Sequence, residues 1–87
     1  MNTIEIYTLP ACPFCIKAKE LLKDNYLDFI EYDISHDEEN MRQELGKTYN
    51  IKGNVTVPQI IINGKRLGGY SEFKEIVSDG KLNNFLN

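Results

Sequence analysis

The two cysteines of the chain, Cys12 and Cys15, are the residues whose type and spacing offer chemistry other than acid–base exchange. They form the segment Cys-Pro-Phe-Cys, in which two residues separate the sulfurs. A thiolate can attack a disulfide, and a neighbouring thiol can then attack the mixed disulfide that forms. The spacing therefore indicates thiol–disulfide exchange, with Cys12 as the nucleophile and Cys15 as the second catalytic sulfur.

A cysteine pair can also hold zinc or close a structural disulfide. Zinc takes about four protein ligands, and His36 is the only histidine available to join the two sulfurs. A structural disulfide across two intervening residues closes a loop too short to restrict the unfolded chain much. Both alternatives are disfavoured, so no metal site is predicted, and His36 is given no role.

The cysteines are expected at the start of a helix that follows a strand. Pro13 fits the first helical turn, since its missing N–H would have no partner there. The free N–H groups of that turn and the positive end of the helix dipole then favour the thiolate form of Cys12. Cys15, one turn further in, is expected to stay protonated.

The composition is that of an ordinary globular domain, with 41% apolar and 26% charged residues in 87 residues. We expect one domain over residues 1–87. No apolar run reaches membrane-spanning length, and the first residues lack the pattern of a secretory signal, so we expect the reducing cytoplasm. The net charge of −3 with scattered basic residues disfavours nucleic acid and anionic lipid as partners.

Hydrophobic periodicity predicts a parallel βαβ unit in the first part of the chain. Alternating apolar residues predict a strand over about 3–8, and helically spaced ones predict an amphipathic helix from Pro13 to about Asp24. Residues 27–34 are rich in aromatic and β-branched side chains, which predicts a strand too apolar for the surface. Two strands joined by a helix pair in parallel.

A second helix and a hairpin are predicted next. Ser35 and Glu38 match the capping-box pattern, which places a helix from there to about Tyr49. Residues 50–54 are predicted to form a loop, and Gln59 to Ile62 a strand. Asn63-Gly64 is a strong hairpin signal that returns the chain, antiparallel, through residues 65–67.

The end of the chain predicts a helix stopped at Gly80, followed by one or two helical turns. The fold class is therefore α/β: a four-stranded mixed sheet with helices on both faces. A C-x-x-C pair beside a βαβ unit is typical of a thioredoxin-like redox fold.

The chain resembles a dithiol glutaredoxin over essentially its whole length, and most of all the small bacterial and phage members. Three motifs carry the resemblance, in the family's order: Cys12-Pro13-Phe14-Cys15 with Ala18-Lys19, then Thr56-Val57-Pro58-Gln59-Ile60, then Gly68-Gly69-Tyr70 with Ser71-Glu72-Phe73. The implied fold is the thioredoxin-like glutaredoxin fold. The implied activity is reduction of protein disulfides and glutathione mixed disulfides, with glutathione as the reducing co-substrate and no bound cofactor.

The resemblance also implies a glutathione site. Pro58 is cis in this family, which turns the backbone of Val57 toward Cys12, whereas an isolated X–Pro bond would be expected trans. Gly68-Gly69, in isolation only a turn signal, would allow close approach to the ligand, and Tyr70, equally a core residue, would form a rim. The helix start would hold the γ-glutamyl carboxylate. The implied binding residues are Phe14, Thr56, Val57, Pro58, Gly69, Tyr70 and Ser71.

Two positions depart from the family pattern: Leu9 stands where Lys or Arg is common, and Ser71 where Asp is common. Contact to the glycyl carboxylate of glutathione is left open among Gln43, Lys47 and Lys52.

Two other functions remain as alternatives. One is a thioredoxin-type donor recharged by a flavoprotein reductase, and the other is a module that holds an iron–sulfur cluster between two subunits with glutathione. The Thr-Val-Pro and Gly-Gly motifs disfavour the first, and the Cys-Pro-Phe-Cys dithiol disfavours the second. We expect a monomer, and the family implies ribonucleotide reductase as one protein substrate.

Overall fold

The computed structural model describes residues 1–87, and its elements follow the predicted order. No helix is both long and apolar enough to cross a membrane. The elements are β1 (Ile4–Thr8), α1 (Pro13–Asp24), β2 (Ile30–Asp33), α2 (Glu38–Thr48), β3 (Gln59–Ile62), β4 (Lys65–Gly68), α3 (Tyr70–Ser78) and a short 3₁₀ helix (Leu82–Asn84).

The four strands form one mixed sheet in the order β2-β1-β3-β4, which confirms the predicted fold class. β1 pairs in parallel with β2, whereas the β1–β3 and β3–β4 pairs are antiparallel. In the β1–β3 ladder, Tyr7 lies opposite Gln59. The residues that follow β1 and those that precede β3 therefore lie at the same end of the sheet.

The main core lies between one face of the sheet and the helices α1 and α3. Every second residue of β1 is buried, because a strand directs alternate side chains to opposite faces. α2 lies on the opposite face, where its residue Glu44 and its C-cap, Tyr49, are near Tyr7. The core cluster consists of Ile4, Ile6, Ala18, Leu22, Ile60, Ile62, Leu67 and Phe73.

The predicted hairpin forms at Asn63 and Gly64, with φ values of 52° and 80° that suit this dipeptide. The Asn63 amide also donates to Asn2 Oδ1 at 2.8 Å and to the Phe85 carbonyl at 2.9 Å. The backbone N–H of Asn87 donates to the same Asn2 oxygen at 2.6 Å. The hairpin thus ties the beginning of β1 to the end of the chain.

The prediction of a buried strand over residues 27–34 was wrong. β2 is an edge strand, and all four of its residues are exposed, with Ile30 at 50% and Tyr32 at 38%. The apolar residues that suggested burial flank the strand: Leu27 and Phe29 pack against the core before it, and Ile34 is buried after it. Because only β1 pairs with β2, the outer edge of the strand is open to solvent, and its side chains are exposed on both faces.

The capping box predicted at Ser35 and Glu38 was also wrong. α2 begins at Glu38 with Asp37 as N-cap, and no side chain caps it. Asp33 instead accepts a hydrogen bond from the Ser35 N–H at 2.9 Å, and that bond is the main reason that the pKa of Asp33 is lowered. The Asp37 N–H also donates to the Ile34 carbonyl at 3.1 Å, so residues 34–37 form a turn where the first helical positions were predicted.

A small polar network ties α1 to the edge of the sheet. The buried Thr8 hydroxyl donates to Glu31 Oε2 at 2.7 Å, and Lys19 of α1 donates to the same oxygen at 3.0 Å. Both bonds lower the pKa of Glu31 below its ordinary value, and the bond from Thr8 has the larger effect. The carboxylate is therefore more stable in the folded than in the unfolded chain.

We expect Glu31→Gln to reduce the free energy of unfolding at neutral pH by up to about 1 kcal/mol, since the side chain is 37% exposed and the pair is screened by solvent. A lowered folded pKa contributes stability above the unfolded value of about 4.3 and loses it as the pH falls through the folded value.

The difference in free energy of unfolding between the parent protein and Glu31→Gln should therefore shrink between neutral pH and about pH 3. Urea titrations at a series of pH values measure it. Glu20→Gln, on the exposed side of α1, is the matched control and should show no such trend. A difference for Glu31→Gln that stays constant with pH would contradict the role given to the carboxylate.

Candidate active site

Cys12 is the N-cap of α1, as the sequence predicts. Its Sγ accepts a hydrogen bond from the Cys15 backbone N–H at 3.2 Å, and Pro13 occupies the first helical turn. The two cysteines are joined by a disulfide, with their Cα atoms 5.2 Å apart. When the pair is reduced, the same N–H and the helix start stabilise negative charge on Cys12.

The two sulfurs differ sharply in exposure. Cys15 is 1% exposed and packs in the interior beneath the first turn of α1, whereas Cys12 is partly open to solvent. A disulfide carried by another protein can reach only the outer sulfur. The burial pattern therefore supports Cys12 as the attacking group and Cys15 as the internal one.

Val57 lies opposite Cys12 across the active site. Its carbonyl oxygen is 3.9 Å from Cys12 Sγ, and the Val57–Pro58 peptide bond is cis, as the family resemblance implies. The antiparallel β1–β3 pairing accounts for this proximity, because Pro58 directly precedes β3 and Cys12 follows β1.

A depression of about 280 Å³ lies beside the dithiol and gathers every binding residue that the resemblance implies. It also contains Glu72, which sequence reasoning missed. A glutamate three residues after a helix-capping Gly69 is the signal that could have indicated it. The lining residues are Phe14, Thr56, Val57, Pro58, Gly69, Tyr70, Ser71 and Glu72.

Two aromatic rings form a rim on this depression. Phe14, 55% exposed, has its ring centroid 6.0 Å from that of Tyr70, and Lys17 Nζ lies 5.6 Å from the Phe14 centroid. Tyr70 also packs against the core, so its ring belongs both to the core and to the lining of the depression. The rim offers an apolar surface beside a positive charge.

The start of α3 depends on two adjacent glycines. The Gly69 N–H donates to Glu72 Oε1 at 2.9 Å, and Gly68 has a φ of 120°. A Cβ on Gly68 would lie 2.8 Å from that carboxylate oxygen, and one on Gly69 would lie 3.4 Å from the Pro58 carbonyl. The glycines therefore allow α3 to begin directly beside the site.

A second depression of about 500 Å³ adjoins the first and shares Thr56 with it. Arg42 and Gln43 of α2 line it. Lys47 and Lys52, the other two candidates for the glycyl carboxylate, do not line either depression. The two depressions, which meet at Thr56, are together called the groove. Cys12 does not line it, but Cys12 Sγ lies 3.9 Å from the carbonyl oxygen of Val57, which does.

The dithiol at a helix start, the facing Pro58 loop and the mixed sheet define a thiol–disulfide oxidoreductase of the thioredoxin-like fold. A family model described as Glutaredoxin matches residues 4–67. The chain therefore belongs to the glutaredoxin family.

A curated relative that carries the family name agrees with this assignment. Glutaredoxin 1 of Rickettsia typhi is 39% identical over 88 residues, which cover 99% of this chain and 81% of that protein. Hybrid peroxiredoxin hyPrx5 of Haemophilus influenzae is 40% identical over 74 residues, 85% of this chain, but the chain spans only 29% of that protein. A crystal structure of a buckwheat glutaredoxin–glutathione complex, 24% identical, has a TM-score of 0.84, and the match covers 98% of this chain and 76% of that one.

We expect iodoacetamide to modify Cys12 before Cys15 in the reduced protein near neutral pH, because Cys12 is the accessible sulfur and the helix start favours its thiolate. Peptide mapping after brief alkylation measures the ratio. The urea-unfolded, reduced protein is the control, and its two cysteines should react at similar rates. Preferential alkylation of Cys15 in the folded protein would reverse the assignment of the nucleophile.

Proposed function

We propose that this glutaredoxin reduces protein disulfides and glutathione mixed disulfides with glutathione as its reductant. The observation that carries the proposal is the groove beside Cys12. The Val57 carbonyl oxygen lies 3.9 Å from Cys12 Sγ, and the start of α3 lines the same depression as Val57. A peptide with a thiol and two terminal carboxylates matches such a groove.

The reaction is a sequence of thiol–disulfide exchanges. The Cys12 thiolate attacks one sulfur of a substrate disulfide, and the other sulfur leaves as a thiolate and takes up a proton. The Cys15 thiol then loses its proton. The thiolate that results attacks Cys12 Sγ and releases the second substrate sulfur as a thiolate, which takes up a proton. Two glutathione molecules reduce the Cys12–Cys15 disulfide in the same way and leave as glutathione disulfide.

Glutathione is proposed to lie extended along the groove. Its cysteine would pair with the Val57 backbone, and its γ-glutamyl carboxylate would accept from the N–H groups of Tyr70 and Ser71 at the start of α3. A buckwheat glutaredoxin of the same fold forms a complex with glutathione, which supports glutathione as a ligand but not a particular pose. Gln43 is the one of the three candidate residues that lines the groove, so we assign the glycyl carboxylate to it.

The physiological setting follows from the same proposal. The protein would act as a monomer in the cytoplasm, and ribonucleotide reductase is the protein substrate that the family implies.

An assay with glutathione, glutathione reductase and a glutathionylated peptide tests the choice of reductant. NADPH oxidation in this assay supports the proposal, whereas turnover with thioredoxin reductase alone would favour the thioredoxin-type alternative.

The effect of replacing Cys15 should depend on the kind of disulfide that is reduced. Cys15→Ser should keep most deglutathionylation, because external glutathione can remove glutathione from Cys12 directly. It should lose most reduction of protein disulfides, where release depends on the tethered Cys15 and its high effective concentration.

Both rates are measured on the same preparations, with circular dichroism to verify folding. Cys12→Ser is the matched control and should lose both activities. If Cys15→Ser lost both activities equally, the branch resolved by glutathione would be wrong.

Gln43→Ala should raise the KM for glutathionylated peptide about tenfold, the effect of losing one hydrogen bond to a charged group. The kcat at saturation should change little, because Gln43 is remote from the sulfurs. Lys47→Ala and Lys52→Ala are the matched variants, and neither should alter KM as much. A larger effect from either lysine would transfer the glycyl carboxylate to it.

A further inference from the structure

The hairpin dipeptide Asn63-Gly64 carries a reaction as well as a turn. The backbone nitrogen of the residue after an asparagine can attack the side-chain amide carbon, and glycine hinders this attack least because it has no side chain. Asn63-Gly64 is the only Asn-Gly pair in the chain. Gly64 is exposed, and a Cβ added to it would meet no atom within 4 Å, so water reaches the turn freely.

The side-chain amide of Asn63 is held at both of its ends. Its Oδ1 accepts a hydrogen bond from the Thr3 N–H at 2.8 Å. Its Nδ2 donates to Asn2 Oδ1 at 2.8 Å and to the Phe85 carbonyl at 2.9 Å, so both of its N–H groups are occupied. The Asn87 N–H donates to the same Asn2 oxygen at 2.6 Å. Asn2, Asn63 and Asn87 are here called the terminal clasp.

The terminal clasp controls whether the reaction can start. The amide carbon of Asn63 must turn toward the Gly64 nitrogen before attack, and this rotation breaks the hydrogen bonds at both ends of the amide. Attack therefore requires that the clasp open first. Exposed turns and chain ends open locally at a free energy well below that of global unfolding. The clasp should thus open many times for each unfolding of the domain.

We propose that Asn63 is a modification site, at which deamidation occurs when the terminal clasp opens, and that the product cannot rebuild the clasp. A bond forms between the Gly64 nitrogen and Asn63 Cγ, the Cγ–Nδ2 bond breaks, and ammonia leaves with the proton of the Gly64 nitrogen. Water then opens the resulting succinimide ring to aspartate or isoaspartate. Water is the only co-reactant, and the dithiol takes no part.

Either product removes the clasp. The carboxylate of an aspartate has no N–H to donate, so the Phe85 carbonyl loses its partner and the Asn2 oxygen faces a negative charge. An isoaspartate adds a methylene to the main chain of a two-residue turn, directly beside the Ile62–Lys65 pair. Phe85 and Leu86, which pack against the core, should then leave it more often.

A turn sealed by the clasp is the competing explanation, in which Asn63 has a structural role alone. Asn-Gly suits a two-residue hairpin whether or not the amide ever reacts. The two explanations differ in kinetics. If the clasp controls the reaction, the rate of deamidation follows the stability of the clasp, whereas a sealed turn reacts only when the whole domain unfolds.

Asn2→Ala tests the control by the clasp, since it removes one acceptor of the Asn63 amide at an exposed residue before β1. We expect deamidation at Asn63 to become about fivefold faster at mildly alkaline pH, the effect of one hydrogen bond on the opening equilibrium. Peptide mapping by mass spectrometry follows the loss of the amide with time. Asn40→Ala, which removes the bond from another exposed asparagine to Asp37, is the matched control and should not change the rate.

Gly64→Asn tests the chemistry of the attack. Asparagine tolerates the positive φ of 80° at this position, but its side chain hinders attack by its own nitrogen. We expect most deamidation at Asn63 to be lost in this variant, with circular dichroism to verify folding. Three results would overturn the proposal: no conversion in the folded parent protein, an unchanged rate in Asn2→Ala, or an unchanged rate in folded Gly64→Asn.

Asn63→Asp imitates the aspartate product and tests what the modification does. Asp-Gly still suits the turn, so the variant isolates the loss of the donor. We expect amide hydrogen exchange in residues 82–86 to become about fivefold faster. Exchange in α1 and the rate of Cys12 alkylation should not change, because the Ile4–Ile62 pair lies at the far end of β1 from Cys12. Unchanged exchange in residues 82–86, or an equal rise in α1, would overturn the proposal.

Discussion

The antiparallel ladder between β1 and β3 is the constraint on which the rest of the structure depends. It sets Tyr7 opposite Gln59, so that the chain leaving β1 and the chain entering β3 occupy the same end of the sheet. Neither segment could form the site alone, since one brings the sulfurs and the other brings the Val57 backbone. The central strands thus convert a sequence separation of 45 residues into a distance of 3.9 Å between Cys12 Sγ and the Val57 oxygen.

The first turn of α1 serves both sulfurs at once. The backbone N–H of Cys15 donates to Cys12 Sγ, so the residue that supplies the second thiol also stabilises charge on the first. Burial of Cys15 at 1% exposure then keeps the second thiol away from other disulfides. The helix start and the burial of Cys15 together explain how two sulfurs of the same kind can take different steps of one reaction.

The parts of the structure that the sequence predicts are those encoded by neighbouring residues. The dithiol at the start of α1 and the Asn63-Gly64 hairpin follow from local backbone preferences, and the family motifs indicate the lining of the groove. The exposure of β2 and the start of α2 at Glu38 were mispredicted, because they depend on which strand lies at the edge and on the Asp33 turn. Glu72 stands in the last family motif but was missed as a site residue, because its hydrogen bond to the Gly69 N–H forms only in the folded chain. Arg42, which lines the second depression, stands in none of the three motifs.

The bonds that Asn2 makes with Asn63 and Asn87 have a consequence for how the domain can be linked to others. They bring both chain ends together at the beginning of β1, the end of the sheet opposite Cys12. A partner domain attached through either end would emerge far from the dithiol and leave the groove clear. The same proximity would allow a short peptide to join residues 1 and 87 while new ends were opened in an exposed turn, as is tolerated in circular permutants.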